Sequence, residues 1–280
     1  MSIEAVILGR AQDAGMPHAG CACPHCAAAR TGKIPREFAA CLAIVDRAAN
    51  EAWLIDAGPD FREQLFFLDD RYPKIRLAGI LITHAHIGHY VGLMHLGREA
   101  MNSKNVPVYA TPNLCDFLRR NAPWSQLVSI GNIVLHEQHP ASIFSPHDRL
   151  RFEFLPVPHR GEFSDTVAFI IRGPSRSLFY CPDIDAWEKW DHDVRALPDQ
   201  YDISIIDGTF FDDGELPART MSAVPHPRVR QSMQLIGNGR GRIFFTHLNH
   251  TNPLFSSVEA RQTLRQNGFD VVDYGQVFSL

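Results

Sequence analysis

A chain of 280 residues can build one large α/β domain or two small ones with ample core. Its 45% apolar and 21% charged residues are those of an ordinary water-soluble globular protein, and no apolar run approaches the roughly 20 residues that span a bilayer. A net charge of −4 argues against a wide basic nucleic-acid footprint, although a local basic groove stays open.

The chain begins on an apolar run, Ile3-Glu4-Ala5-Val6-Ile7-Leu8, that lacks a charged leader and a small-residue cleavage site, so the cytoplasm is the expected compartment. Similar β-branched, apolar runs recur at 40–46, 52–56, 79–83, 106–110, 130–135, 151–157, 166–172, 177–181, 203–207, 242–246 and 270–273. Between them lie helical patterns opening at Asp60, from Gly88 to about Met101, Pro112 to Arg120, Ile184 to Leu197, Arg228 to Ile236, and Ser256 to Gln266. Gly237-Asn238-Gly239-Arg240-Gly241 reads as a helix end and turn. Helices intervene unevenly, so two sheets packed face to face with helices outside is the layered arrangement that fits, in a single domain over 1–280.

Chemistry concentrates where those apolar runs end. Gly79-Ile80-Leu81-Ile82 leads into Thr83-His84-Ala85-His86-Ile87-Gly88-His89, and three imidazoles fixed at one strand end are expected to hold a metal. His159 follows 152–158, Asp183 follows 177–182, and His247 follows 243–246. If these ends converge, His84, His86, His89, His159, Asp183 and His247 surround one site. Three of six cysteines crowd into Cys21-Ala22-Cys23-Pro24-His25-Cys26, a spacing that suits a metal better than a disulfide framework in an intracellular protein. Cys41, Cys115 and Cys181 lie in apolar stretches and read as small buried hydrophobes.

These pieces, with Leu54-Ile55-Asp56-Ala57-Gly58, resemble the metallo-β-lactamase-fold superfamily in order and rough spacing over essentially the whole chain. The cysteine cluster, Asp207-Gly208-Thr209-Phe210-Phe211 with Asp212, Asp213 and Glu215, and Thr246-His247-Leu248-Asn249-His250 resemble one branch of it. That branch holds coenzyme PQQ synthesis protein B and the phosphonate-pathway cyclic phosphodiesterase. The resemblance implies a four-layer αββα sandwich of the α/β class with a metal site at one edge. His84, His86 and His159 would hold one cation, His89 and His247 a second, and Asp183 would bridge, leaving Asp183 and His247 as the expected catalytic residues. It also implies a structural zinc held by Cys21, Cys23, Cys26 and His250, a closed site without an open position. His25 competes with His250 as fourth ligand, and a redox pair or an unliganded turn stays open for the cysteines.

One departure matters. The superfamily places an Asp immediately before the third histidine, where this chain has Gly88. The second site would then retain His89, His247 and Asp183, with His226 or Asp207 as candidate substitutes, and Gly88→Asp would be expected to raise metal occupancy. Two metals, one at the three-histidine site, or one iron at a two-histidine, one-carboxylate site are the alternatives, with zinc, manganese and iron as the candidate ions.

A divalent metal lowers the pKa of bound water towards about 7, so the first expectation is a hydrolase in which metal-bound hydroxide attacks a small phosphodiester or a carbonyl. An iron-dependent oxidative enzyme similar to PQQ synthesis protein B is the second, and a non-catalytic carrier with a depleted site the third. The expected partner is a small-molecule substrate, with no membrane and a homodimer left open. His18, Arg160 and Asn249 are candidate substrate contacts.

Overall fold

The structure, a computed structural model, describes residues 3–216, 224–237 and 239–280. In chain order its strands are β1 (Ile3–Gly9), β2 (Cys41–Asp46), β3 (Glu51–Ile55), β4 (Arg76–Leu81), β5 (Val106–Ala110), β6 (Ile133–Glu137) and β7 (Ile143–His147). There follow β8 (Leu150–Pro156), β9 (Val167–Arg172), β10 (Ser177–Cys181), β11 (Ile203–Asp207), β12 (Arg242–Thr246), β13 (Phe269–Val271) and β14 (Val277–Ser279). One sheet has the order β14-β1-β2-β3-β4-β5-β6 and the other β13-β12-β11-β10-β9-β8-β7.

Side-chain alternation explains why so many strands read as unbroken apolar runs. Ile3, Ala5 and Ile7 of β1, and Leu42 and Ile44 of β2, face a core shared with Phe152, Phe169, Tyr180 and Phe244 of the opposite sheet. Their neighbours Val6, Leu8, Ala43 and Val45 face outward onto Phe61, Leu68, Leu114 and Leu118, which come from helices Phe61–Arg71 and Pro112–Arg120. On the second sheet Phe179 and Cys181 turn outward to Val229, Ile236 and Leu264 of helices Val229–Ile236 and Val258–Gln266. The central strands are buried on both faces because helices cover the outer face of each sheet, which is the αββα sandwich, while β6, β7 and β14 towards the edges stay partly exposed. No helix among the described residues is long and apolar enough to cross a membrane.

Most expected elements coincide with observed ones; the helix expected from Ser256 starts at Val258, capped by Ser257 Oγ, which accepts from Ala260 N at 3.1 Å. Two expected helices do not form. From Gly88 onward there is only a short helix, Ile87–Tyr90, and a 3₁₀ turn, Val91–Leu96, on which Met94 is exposed. The reason is local. The His89 carbonyl accepts from Ala57 N and the Ala57 carbonyl from Gly92 N, both at 2.8 Å, so the segment bonds to the β3 turn instead of to itself. Between Ile184 and Leu197 the chain runs in 3₁₀ pieces, because Trp187 and Trp190 anchor to Ser232 Oγ and the Pro156 carbonyl and Asp193 caps Arg195 N. Gly237 ends its helix at φ 66°, while Asn238 of the same turn lies outside the described residues.

Candidate metal centre

Strand polarity gathers the site. β1 and β3 are both antiparallel to β2, β4 is parallel to β3, β8 and β10 are both antiparallel to β9, and β11 and β12 run parallel to β10. The carboxyl ends of these strands deliver Asp56, His84, His159, Asp183, Asp207 and His247 to one edge of the sandwich. Asp56 and His247 sit in the left-handed region, at φ 68° and 59°, a strained geometry that turns their side chains to the site.

Asp183 is the hub. Its Oδ2 lies 3.3 Å from His159 Nε2, 3.4 Å from His84 Nε2, 3.7 Å from His247 Nε2 and 3.8 Å from His89 Nε2. His86 joins through Nδ1, 3.1 Å from His159 Nε2. All six expected side chains therefore meet.

Every imidazole has its outward nitrogen tied, which assigns its proton. His89 Nδ1 donates to Asp56 Oδ2 at 2.7 Å and His159 Nδ1 to Asp185 Oδ1 at 2.9 Å. His86 Nε2 donates to Glu162 at 3.1 Å. The single Thr83 hydroxyl proton goes to Asp56, so Thr83 Oγ1 accepts from His84 Nδ1 at 2.9 Å; Thr209 Oγ1 lies 2.9 Å from His247 Nδ1. The inward nitrogens are left as bare lone pairs. His86 Nδ1 and His159 Nε2 then point two lone pairs at each other across 3.1 Å, and Nε2 of His84, His89 and His247 are buried with no hydrogen-bond partner among the described residues. Donors about 2.1 Å from a shared ion stand about 3.0–3.4 Å apart in octahedral or tetrahedral arrangements. The spacing and chemistry fit divalent cations, with carboxylate and threonine partners orienting each ring from behind.

Electrostatics agree. Burial alone would push the Asp183 carboxyl up, yet His159, His247 and His226 around it hold it well below the usual carboxylate range. Burial would lower His89, but Asp56 and Asp13 outweigh it and raise it well above the usual histidine range, so a proton and a cation compete for the His89 Nε2 lone pair between the same carboxylates. His84 has less carboxylate support, so burial and the neighbouring His89 lower it.

Of the two candidate substitutes for a residue-88 carboxylate, Asp207 is engaged elsewhere, while His226 stands in a donor cluster with Asp183 and His247. Asp207 Oδ1 accepts from Thr209 N at 2.8 Å and its Oδ2 from Ile184 N at 3.1 Å and His226 Nδ1 at 2.7 Å, so it is saturated as a brace. His226 Nδ1 sits 3.3 Å from Asp183 Oδ1 with its proton committed to Asp207. The residue that the motif reading missed is Asp13, whose Oδ1 lies 3.4 Å from His89 Nε2 and 3.8 Å from His247 Nε2. The available signal was the one that found His159: an acidic or imidazole residue a few positions beyond a buried strand, here β1.

The cysteines and His250 form a second cluster. His250 Nδ1 lies 3.7, 3.5 and 3.6 Å from Sγ of Cys21, Cys23 and Cys26. Zinc at about 2.3 Å from sulfur and 2.1 Å from nitrogen spaces tetrahedral donors by about 3.6 Å. His25 is not in the cluster. It packs behind, with Nδ1 3.0 Å from the His250 carbonyl oxygen and Nε2 2.8 Å from Ser256 Oγ. Between the two clusters opens a cavity of about 290 Å³ lined in part by Asp13, His18, Arg160, Phe210 and Asn249.

A model described as the Beta-lactamase superfamily domain matches residues 52–248. The chain belongs to this superfamily. The coenzyme PQQ synthesis protein B of Methylobacterium sp. (strain 4-46) is 27% identical over 311 residues, covering 99% of this chain and 100% of the relative. The superfamily fold recurs in Zn(2+)-bound PqqB from Methylobacterium extorquens, with a TM-score of 0.84, 21% identity and coverage of 99% and 100% of the two chains. It recurs again in a diphosphatase from the PhnP family, with a TM-score of 0.70, 22% identity and coverage of 100% and 98%. The αββα architecture and the branch read from the sequence stand.

Proposed function

We propose that the chain is a metal-dependent hydrolase of a small phosphodiester. The observation that carries this reading is the pair of donor clusters sharing Asp183: His84, His86 and His159 on one side, His89 and His247 on the other. A divalent cation bound there supplies a nucleophile from water near neutral pH and polarises the bond under attack. Asp183, held ionised, contributes the charge common to both clusters, and Asp56, Asp185 and Thr209 keep the rings aimed inward. Beside them the cavity offers the Arg160 guanidinium, the His18 imidazole and the Asn249 amide to anionic oxygens, with Phe210 as an apolar wall. Its volume of about 290 Å³ suits a small molecule rather than a polymer.

The full-length similarity to PQQ synthesis protein B favours a second reading, an iron-dependent oxidative enzyme. Metal analysis of protein purified without added metal, paired with turnover of bis-p-nitrophenyl phosphate, separates the two. Hydrolysis with two zinc or manganese ions per chain beyond one zinc at the cysteines is expected. A single oxygen-sensitive iron and no hydrolysis would overturn the hydrolase.

A further inference from the structure

We propose that Asp13, carried on the loop after β1, is the carboxylate ligand of the second cation and takes the part that Gly88 leaves vacant in the motif. The inference rests on the metal centre proposed above and adds a residue from outside the motif.

Three observations converge on it. A Cβ built on Gly88 would lie 2.3 Å from Asp13 Oδ1, 2.4 Å from its Cα and 2.7 Å from its Cβ, so Asp13 fills the space a side chain at 88 would need. The two positions exclude each other. Asp13 Oδ1 is buried and, like Nε2 of His89 and His247, has no hydrogen-bond partner among the described residues. Its separations from those nitrogens, 3.4 and 3.8 Å, are long for hydrogen bonds, and the three atoms lie within 4.8 Å of one another, close enough to gather on one ion.

The loop is built to hold that carboxylate in place. Gln12 N donates to the Leu248 carbonyl at 2.9 Å and Leu248 N to the Arg10 carbonyl at 2.7 Å, stitching the loop beside His247. Gly15, at φ 67°, turns the chain where a Cβ would meet the Glu37 carbonyl at 2.8 Å. Opposite, a Cβ on Gly58 would meet the Gly88 carbonyl at 2.2 Å, so the His89 segment lies flush against the β3 turn. Six residues past Gly15 the chain reaches Cys21, and His250 lies three residues past His247, so the cysteine cluster clamps both segments that flank the second cation. An anionic ligand supplied from a separate segment gives the same charge at the metal as one supplied within the motif.

The test is metal content by mass spectrometry and Mn²⁺ titration of the full chain as wild type, Asp13→Asn, Asp13→Ala and His89→Ala. Wild type is expected to hold two cations at the histidine clusters. Asp13→Asn, which keeps the shape and removes the charge, should weaken the second by on the order of 100-fold or more while the first and the cysteine zinc stay bound. His89→Ala should show the same selective loss, circular dichroism of the metal-stripped variants should match wild type, and the Tm of metal-stripped Asp13→Asn should match it as well. Two cations of unchanged affinity in Asp13→Asn, or only one histidine-bound cation in wild type, would overturn the assignment. Phosphodiester turnover by wild type is read separately. Selective metal loss without any turnover would sink the hydrolase and keep Asp13 as ligand, and turnover with an intact second cation in Asp13→Asn would do the reverse.

Discussion

Asp56→Asn should empty the second cation site by moving a single proton. The Asp56 carboxylate is wholly buried. Its Oδ1 accepts from Thr83 N at 2.8 Å and from Thr83 Oγ1 at 2.9 Å, and its Oδ2 accepts from His89 Nδ1 at 2.7 Å. In the variant the Thr83 amide fixes the amide oxygen at the Oδ1 position and leaves the NH₂ facing His89. Two donors cannot face each other, so His89 must surrender its Nδ1 proton and carry it on Nε2, aimed at the metal position. A loss of second-sphere orientation alone weakens metal binding about 10–100-fold, or roughly 1.4–2.8 kcal/mol, and a blocked donor atom sets that as the lower bound. Mn²⁺ titration of the metal-stripped protein reads the affinities, and imidazole ¹⁵N shifts read the tautomer. The His84, His86 and His159 cluster should bind as in wild type. An unchanged second binding event, with the His89 proton still on Nδ1, would show that the Asp56 carboxylate does not set the His89 tautomer.

Gly88→Asp, which the motif alone suggests would raise metal occupancy, should instead lower it. The new Cβ meets the backbone Cα of Asp13 at 2.4 Å, so the loop after β1 has to shift, at about 1–3 kcal/mol, and occupancy of the second site should fall in elemental analysis. Asp46→Ala should cost about 2 kcal/mol at pH 7, read by urea unfolding, because the buried carboxylate accepts from Ala48 N and Ala49 N and pairs with Arg149 at 2.5 Å. Burial would raise that carboxyl, but the Ala49 amide, Arg149 and the Ala48 amide together hold it below its usual range. Its contribution is therefore present above the unfolded value of about 3.9 and fades as the pH drops through the lower folded one. The gap between variant and wild type should narrow below about pH 4.

The sequence exposed the strand ends because strands buried on both faces write themselves as unbroken apolar runs, and the residue just past each run is placed by the strand's rigidity. His159, Asp183 and His247 were legible on that ground. Asp13 was not, since it lies on a loop 75 positions before Gly88, and no local pattern links it to that gap more strongly than His226 or Asp207, the expected substitutes. Helix 184–197 failed because two tryptophans at near-helical spacing are held by Ser232 and Pro156, partners no local pattern encodes. Edge strands β7 and β14 were missed for a related cause: Ile143 is exposed and β14 spans only Val277–Ser279, so neither carries a periodic apolar signal. His250 and His25 could be told apart only by three sulfur distances.

If two cations sit on either side of Asp183, anomalous diffraction from crystals grown with Mn²⁺ will locate both. Two manganese peaks are expected, one among His84, His86, His159 and Asp183 and one among Asp13, His89, His247 and Asp183. Anomalous signal confined to the cysteine cluster would contradict it.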